Sequence, residues 1–287
     1  MYAAASSMGY GSRVPVCAET FCNVRLSALK AYYKEKYYYK ISNGMRLEMG
    51  MEGYRRSYSS TTPHKLPFGP DLMRVLGSEL LAEGSAQSLI QWGCALLGFF
   101  SLCRAGETWG PIKKSSDEDH LLKWKNVTFG YDSHRQRKAN GKTRWVDIHF
   151  DSDKGDRYKK GCTIRLGKNR DKVLCPVRAV RWIQRGRLHL KLPDSPDSRI
   201  SQVGTGMVVP RQKFINRIKK IAKKAGLNPK QISGHSLRIG AATQLMAAGF
   251  DATVIKLMGR WKSDCYMAYL RLNPNLAGTV AMKILHV

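Results

Sequence analysis

The stretch GHSLRIGAATQLMAAGFDATVIKLMGRWKSDCYMAYLR, residues 234–271, sets His235 and Arg238 three positions apart, on one face of a helix near its start. Backbone N–H groups at a helix N-terminus favour anions, and an imidazole and a guanidinium beside them make a phosphate site. Taken alone, His-x-x-Arg is a short pattern that chance supplies easily. Its company sharpens it: GRW (259–261) follows, then Tyr266 and Tyr269, three residues apart on one predicted helix.

Outward from this segment the chain reads as mainly α with a small antiparallel β-sheet. Pro70 suits a first helical turn and opens DLMRVLGSELLAEG. Ser85 is a candidate N-cap for SAQSLIQWGCALLGFFSLC, which is apolar almost all round and is expected in the core. Short strand-like runs at 124–129, 145–150 and 162–166 are separated by polar turns. Helical text returns in CPVRAVRWIQRGRL, PRQKFINRIKKIAKKAGL, LRIGAATQLMAAG, DATVIKLMG and DCYMAYLR, and LAGTVAMKILHV is a further candidate helix. Residues 1–19 carry no periodicity and are expected to be disordered. Residues 20–56 are basic and helical, and their mixture of Tyr and Lys suits either a solvated face or a phosphate backbone. SYSSTTPHKLPFG (57–69) reads as a linker.

Composition narrows the partners. The chain has 287 residues, with 49 Lys+Arg against 21 Asp+Glu, a net charge of +28. Such a charge calls for a polyanion, and nucleic acid leads. The longest apolar stretch, Cys94 to Cys103, is about half of the roughly 20 residues a membrane span requires. The first residues lack the basic and apolar regions of a secretory signal. Seven cysteines without a CxxC pair read as reduced structural thiols rather than a zinc site. RIKKIAKK (217–224) is a basic run with Ile218 and Ile221 inward. Its lysines, Lys219, Lys220, Lys223 and Lys224, are either a solvated face or a DNA-backbone contact.

The 234–271 segment resembles the C-terminal signature of the tyrosine recombinases, the phage-integrase family. Further motifs carry the resemblance upstream. LLGFFSLCRAGE (96–107) looks like the family's first-arginine motif, an apolar helix ending in Arg104 with Glu107 three later. HFDSDKGD (149–156) looks like its β-hairpin lysine motif and points to Lys154, in competition with Lys159, Lys160 and Lys168. CPVRAV (175–180) follows suitably. LSALKAYY and GMEGYRR look like the last helices of the family's core-binding domain. GRWKSDCYMAYLR is closest in wording to recombinases of eukaryotic mobile elements, the crypton and DIRS-like groups.

The resemblance implies a catalytic domain over 65–273, a remnant of the helical core-binding domain over 20–64, and a tail over 274–287 that exchanges between protomers. It implies a DNA-cleaving and DNA-rejoining enzyme. Tyr269 would attack the scissile phosphate, and Arg104 and Arg238 would clamp its non-bridging oxygens. Lys154 would protonate the leaving 5′-oxygen, and His235 would assist proton transfer at the tyrosine. Trp261 would donate to a phosphate oxygen and pack the nucleophile's helix, and Glu107 would orient the cations. Tyr269 precedes Leu-Arg as the family's nucleophile does, which leaves Tyr266 a packing residue. Implied too are double-stranded DNA as partner, a homotetramer on two sites, no cofactor or metal, and a nuclear location, or a cytoplasmic, nucleoid-associated one if the source is prokaryotic. A catalytically silent DNA-binding relic and a type IB topoisomerase-like enzyme are the competing readings.

Overall fold

The computed structural model describes residues 18–38, 44–45, 49, 64–109, 120–131, 143–152 and 160–270. The chain divides into two compact units, Met1–Pro63 and His64–Val287. In the first, helix α1 spans Ala18–Tyr37. Tyr32 meets Tyr33 and Tyr37 in T-shaped contacts and Tyr33 meets Tyr37 at a tilt, with ring centroids 5.4–6.1 Å apart, and Lys36 donates to the Tyr32 hydroxyl at 2.8 Å. The expected disorder of residues 1–17, the second basic helical stretch but for three residues, the 57–63 linker and the tail after Leu270 lie outside the described residues.

The second unit follows the predicted order. Helix α2 (Pro70–Glu83) starts on its proline and stops at Gly84, whose left-handed φ of 60° an L side chain would strain. Helix α3 (Ala86–Phe100) begins where the Ser85 side chain accepts a hydrogen bond from Ser88 N at 3.0 Å. Its Ile90, Trp92, Leu96 and Leu97 are fully buried, and each such aliphatic side chain contributes about 1.5–3 kcal/mol to folding.

Helix α3 ends earlier than the motif suggests. It stops at Phe100, Leu102 turns at a φ of 49°, and Arg104 lies in the connection to a separate short helix, α4 (Ala105–Trp109). Arg104 is thereby set just before a new helix rather than at the end of the apolar one.

The sheet is antiparallel in the order β1 (Val127–Gly130), β2 (Trp145–Phe150), β3 (Cys162–Gly167), with Ile148 opposite both Val127 and Ile164. Val146, Ile148 and Phe150 alternate inward, while Asp147 on the outer face accepts from Arg165 at 2.8 Å. Residues 124–126, expected at the start of the first strand, form a 3₁₀ turn instead.

Helix α5 (Pro176–His189) lies against α3 so closely that glycine is required. A side chain at Gly93 would meet the Ala179 carbonyl, and one at Gly186 would stand 2.6 Å from that of Ala86. A two-stranded ribbon, β4 (Gln202–Gly204) with β5 (Met207–Val208), is an addition to the expected elements.

Then come α6 (Arg211–Lys224), α7 (Ser236–Ala247) and α8 (Ala252–Gly259), the last capped by Asp251, which accepts from Val254 N at 2.8 Å. Gly240 lets α7 rest on the backbone of Phe68, whose N–H donates to Ser236 O at 2.8 Å. The final helix is corrected in type: Asp264–Tyr269 is 3₁₀ rather than α. Cys94 and Cys103 are buried free thiols, and burial raises both their pKa values. Among the described residues no helix is long and apolar enough to cross a membrane, and no group of three metal-ligating side chains forms.

Candidate active site

Arg104, Glu107, His235, Arg238, Trp261 and Tyr269 converge where the start of α7, the end of α8 and the α3–α4 connection meet. His235 is the N-cap residue of α7 and Arg238 lies in its first turn, so the three-residue spacing turns both toward one place. Arg238 is 1% exposed. One of its terminal nitrogens donates to Leu102 O and the other to Gly259 O, while Nε has no partner. Two carbonyls thus hold the fork, and each terminal nitrogen keeps a second hydrogen for another acceptor. Burial first, then the charges of Arg260 and Arg104, lower its pKa to about 10, which leaves it cationic at neutral pH.

The guanidinium of Arg238 lies 4.2 Å from the centroid of the Trp261 ring and 5.6 Å from that of Tyr269. Tyr269 also faces Trp261 at 5.0 Å and His235 at 6.2 Å between ring centroids. Tyr266, one 3₁₀ turn earlier, is 6% exposed and packs on Trp261 under Lys256. The two tyrosines are therefore separated by environment, Tyr269 among the cations and Tyr266 in the packing. Trp261 is a buried platform beneath the Arg238 fork.

Glu107, on α4, is 3% exposed and accepts from Arg104 N at 2.8 Å and Arg104 Nη1 at 2.9 Å. Its other bond was not legible in the motif: Arg260 Nη2 donates to Glu107 Oε2 at 2.6 Å. Arg260 also donates to Ser101 O at 3.1 Å and stacks 3.6 Å from the Phe150 ring centroid, at the end of β2. It is buried, in a left-handed φ of 56° at the C-cap of α8. The signal was present in GRW, as the residue between the glycine and the tryptophan, but its role depends on a carboxylate 153 positions away.

His235 keeps an exposed edge, yet its pKa is lowered, first by desolvation and then by Arg211, Arg238 and Arg104. Arg211, the first residue of α6, is thus a further cation of the site that the motifs did not mark. Lys154 and its rival Lys159 lie outside the described residues; Lys160 and Lys168 are exposed near the sheet.

The lysines of α6 do not join this cluster. Lys224 pairs with Glu79 of α2 at 2.7 Å, Arg217 with Glu83, and Lys220 and Lys223 face solvent while Lys219 is half-buried.

Residues 158–275 match the Phage integrase family. The tyrosine recombinase XerD of Vibrio cholerae serotype O1 is 31% identical over 106 residues, 35% of this chain and 35% of that protein, so the match spans about a third of that relative's length. The fold is shared with the XerH site-specific recombinase bound to palindromic difH substrate in a post-cleavage complex. That likeness has a TM-score of 0.54 and 14% identity, over 93% of this chain and 71% of that one. It is shared also with the Tn1549 transposon integrase in complex with transposon right end DNA, at a TM-score of 0.53 and 14% identity over 93% and 80% of the two chains. The chain therefore matches the Phage integrase family over residues 158–275 and shares the fold of these recombinase and integrase chains.

Proposed function

We propose that this chain is a site-specific DNA recombinase that cleaves and rejoins double-stranded DNA through Tyr269. The hydroxyl oxygen of Tyr269 attacks phosphorus, a tyrosyl O–P bond forms, and the bond to the 5′-oxygen breaks. The product is a 3′-phosphotyrosine and a free 5′-hydroxyl. Arg104 and Arg238 offset the charge gathering on the non-bridging oxygens, and Trp261 seats the Arg238 fork. Glu107 keeps Arg104 oriented. His235, whose pKa is lowered first by desolvation and then by the cations around it, accepts the tyrosine proton. Lys154 supplies a proton to the leaving 5′-oxygen. A 5′-hydroxyl from another strand then reverses the sequence, so rejoining needs no nucleotide cofactor.

The observation that carries the reading is the position of Tyr269, its ring between His235 and Trp261 with the Arg238 guanidinium 5.6 Å from its centroid. Two pieces of DNA must meet for strand exchange, and we extend the proposal to a homotetramer on two sites. The wording of GRWKSDCYMAYLR supports an origin in a eukaryotic mobile element and, with it, a nuclear location. The 20–64 segment is read as belonging to a core-binding domain, and the tail after residue 273 as an exchange segment.

Nicked duplexes of mixed sequence, from which a cleaved end diffuses away, trap the covalent intermediate. SDS-resistant adducts should form with the wild type and Tyr266→Phe and vanish in Tyr269→Phe. Adducts lost in Tyr266→Phe and kept in Tyr269→Phe would reassign the nucleophile. A wild type that binds the duplex without forming adducts would leave a catalytically silent DNA-binding protein.

A further inference from the structure

Arg211 differs from the buried arginines of the second unit. Arg238 and Arg260 have carbonyl or carboxylate partners, and Arg187 donates to Pro193 O at 2.9 Å and Ser198 Oγ at 2.8 Å. Arg211 has no hydrogen-bond or ion-pair partner among the described residues, and its Nε is fully buried and unsatisfied. It is half-buried, and burial alone lowers its pKa.

Its place is specific. A methyl group at Gly234 would stand 3.3 Å from Arg211 Nη2, and one at Gly106 would stand 4.0 Å from Nη1. The fork therefore bridges the glycine beside His235 and the glycine between Ala105 and Glu107. Both positions lack the side chain that would cover it. The neighbouring groups raise the difficulty: Arg104, Arg211 and Arg238 all act on His235 with like charge, and the carboxylate of the cluster, Glu107, is already shared by Arg104 and Arg260. A desolvated guanidinium without a counter-charge is costly to fold around. Such a group is retained at low cost only if an anion arrives to take its hydrogens, and a guanidinium fork matches phosphate oxygens two at a time.

We propose that Arg211 is a DNA-phosphate ligand of this site, taking backbone phosphate oxygens on the His235 side. The inference rests on the recombinase reading for its ligand, and it deepens that reading by adding a contact outside the motif residues. It makes a prediction opposite to that for a structural arginine: removing Arg211 leaves the fold no weaker and weakens DNA binding.

The test compares the wild type with Arg211→Met, which keeps the bulk of the stem, and Arg211→Lys, which keeps the charge. Anisotropy of a fluorescein-labelled duplex is followed across a potassium chloride series below the unfolding transitions of all three. Arg211→Met should flatten the slope of log affinity against log salt by about 0.9, the value of one phosphate contact, with Arg211→Lys close to wild type. Thermal unfolding without DNA should give Arg211→Met a Tm equal to or above that of the wild type. An unchanged salt slope, or a lowered Tm with an unchanged slope, would overturn the proposal. A second arm uses inorganic pyrophosphate alone, which should raise the Tm of the wild type more than that of Arg211→Met. If the wild type bound no duplex, the recombinase reading would fall. The pyrophosphate arm would then decide Arg211 alone: a larger wild-type rise would keep it as an anion ligand, and equal rises would remove that role too.

Discussion

Two basic regions of this protein look alike in composition and behave oppositely in the fold. One is the arginine cluster of Arg104, Arg238 and Arg260 about Glu107; the other is the lysine-rich outer face of α6. In the first, the Arg238 and Arg260 guanidinium groups are buried and that of Arg104 half-buried; they are oriented by carbonyls and a shared carboxylate, and Arg238 and Arg260 stack on Trp261 and Phe150. In the second, the cations lie at the surface and are partly neutralised by Glu79 and Glu83 of α2. Charge density alone therefore does not mark a site. What marks it is charge fixed in place against a desolvation cost, which lysines on a solvated helix do not incur.

The contrast can be broken most severely at Glu107. Glu107→Ala strands Arg260, which is 8% exposed, and removes the carboxylate that orients Arg104, and it should cost about 3–5 kcal/mol in urea unfolding, as removal of one partner of a buried pair does. A loss under about 1 kcal/mol would mean that the cluster is as solvated as the α6 face. Next in size, Arg238→Met removes the donors to Leu102 O and Gly259 O while preserving bulk. It should cost about 2 kcal/mol and abolish adducts on nicked DNA. Full stability without adducts would separate the chemical role from the structural one.

A smaller effect concerns pH. The pKa of His235 in the folded protein lies below the ordinary 6.5, so below about that pH the unfolded chain takes up a proton that the native one resists. Stability should therefore fall as the pH drops through that range and level off below the folded pKa, and His235→Asn should flatten the decline. A decline of the same depth in the variant would assign it to other groups. Smallest of all, Lys224→Ala breaks an exposed pair with Glu79 and should change stability by less than about 1 kcal/mol, an effect that added salt reduces. A larger loss would make α6 a structural counterpart of the cluster rather than its opposite.

What could be read from the sequence was what is local in it. Helix starts were legible because Pro70 and Ser85 each act within one turn of the backbone they begin. The joint placement of His235 and Arg238 was legible because helical period alone sets it. The end of α3 was not, since continuous apolar text through Cys103 conceals the turn at Leu102. Strands β4 and β5 are too short to carry an alternation. Arg260 and Arg211 escaped for a common reason: burial, a distant partner or the lack of one defines them, and none of these is a property of neighbouring residues. The resemblance named Trp261 and left Arg260, beside it, unremarked.

The winding of the last described element has a mechanical consequence. Tyr266 and Tyr269 occupy a 3₁₀ turn, in which residues three apart eclipse one another. Three residues complete a full circle in that winding and about 300° in an α-helix, and they advance about 6 Å and 4.5 Å respectively. Rewinding this one turn with Tyr266 anchored in the packing would swing Tyr269 by about 60° and draw it back by about 1.5 Å. The segment is thus geared as a screw: a small change of pitch, with no hinge and no displaced domain, would sweep the hydroxyl across the face of the cationic cluster.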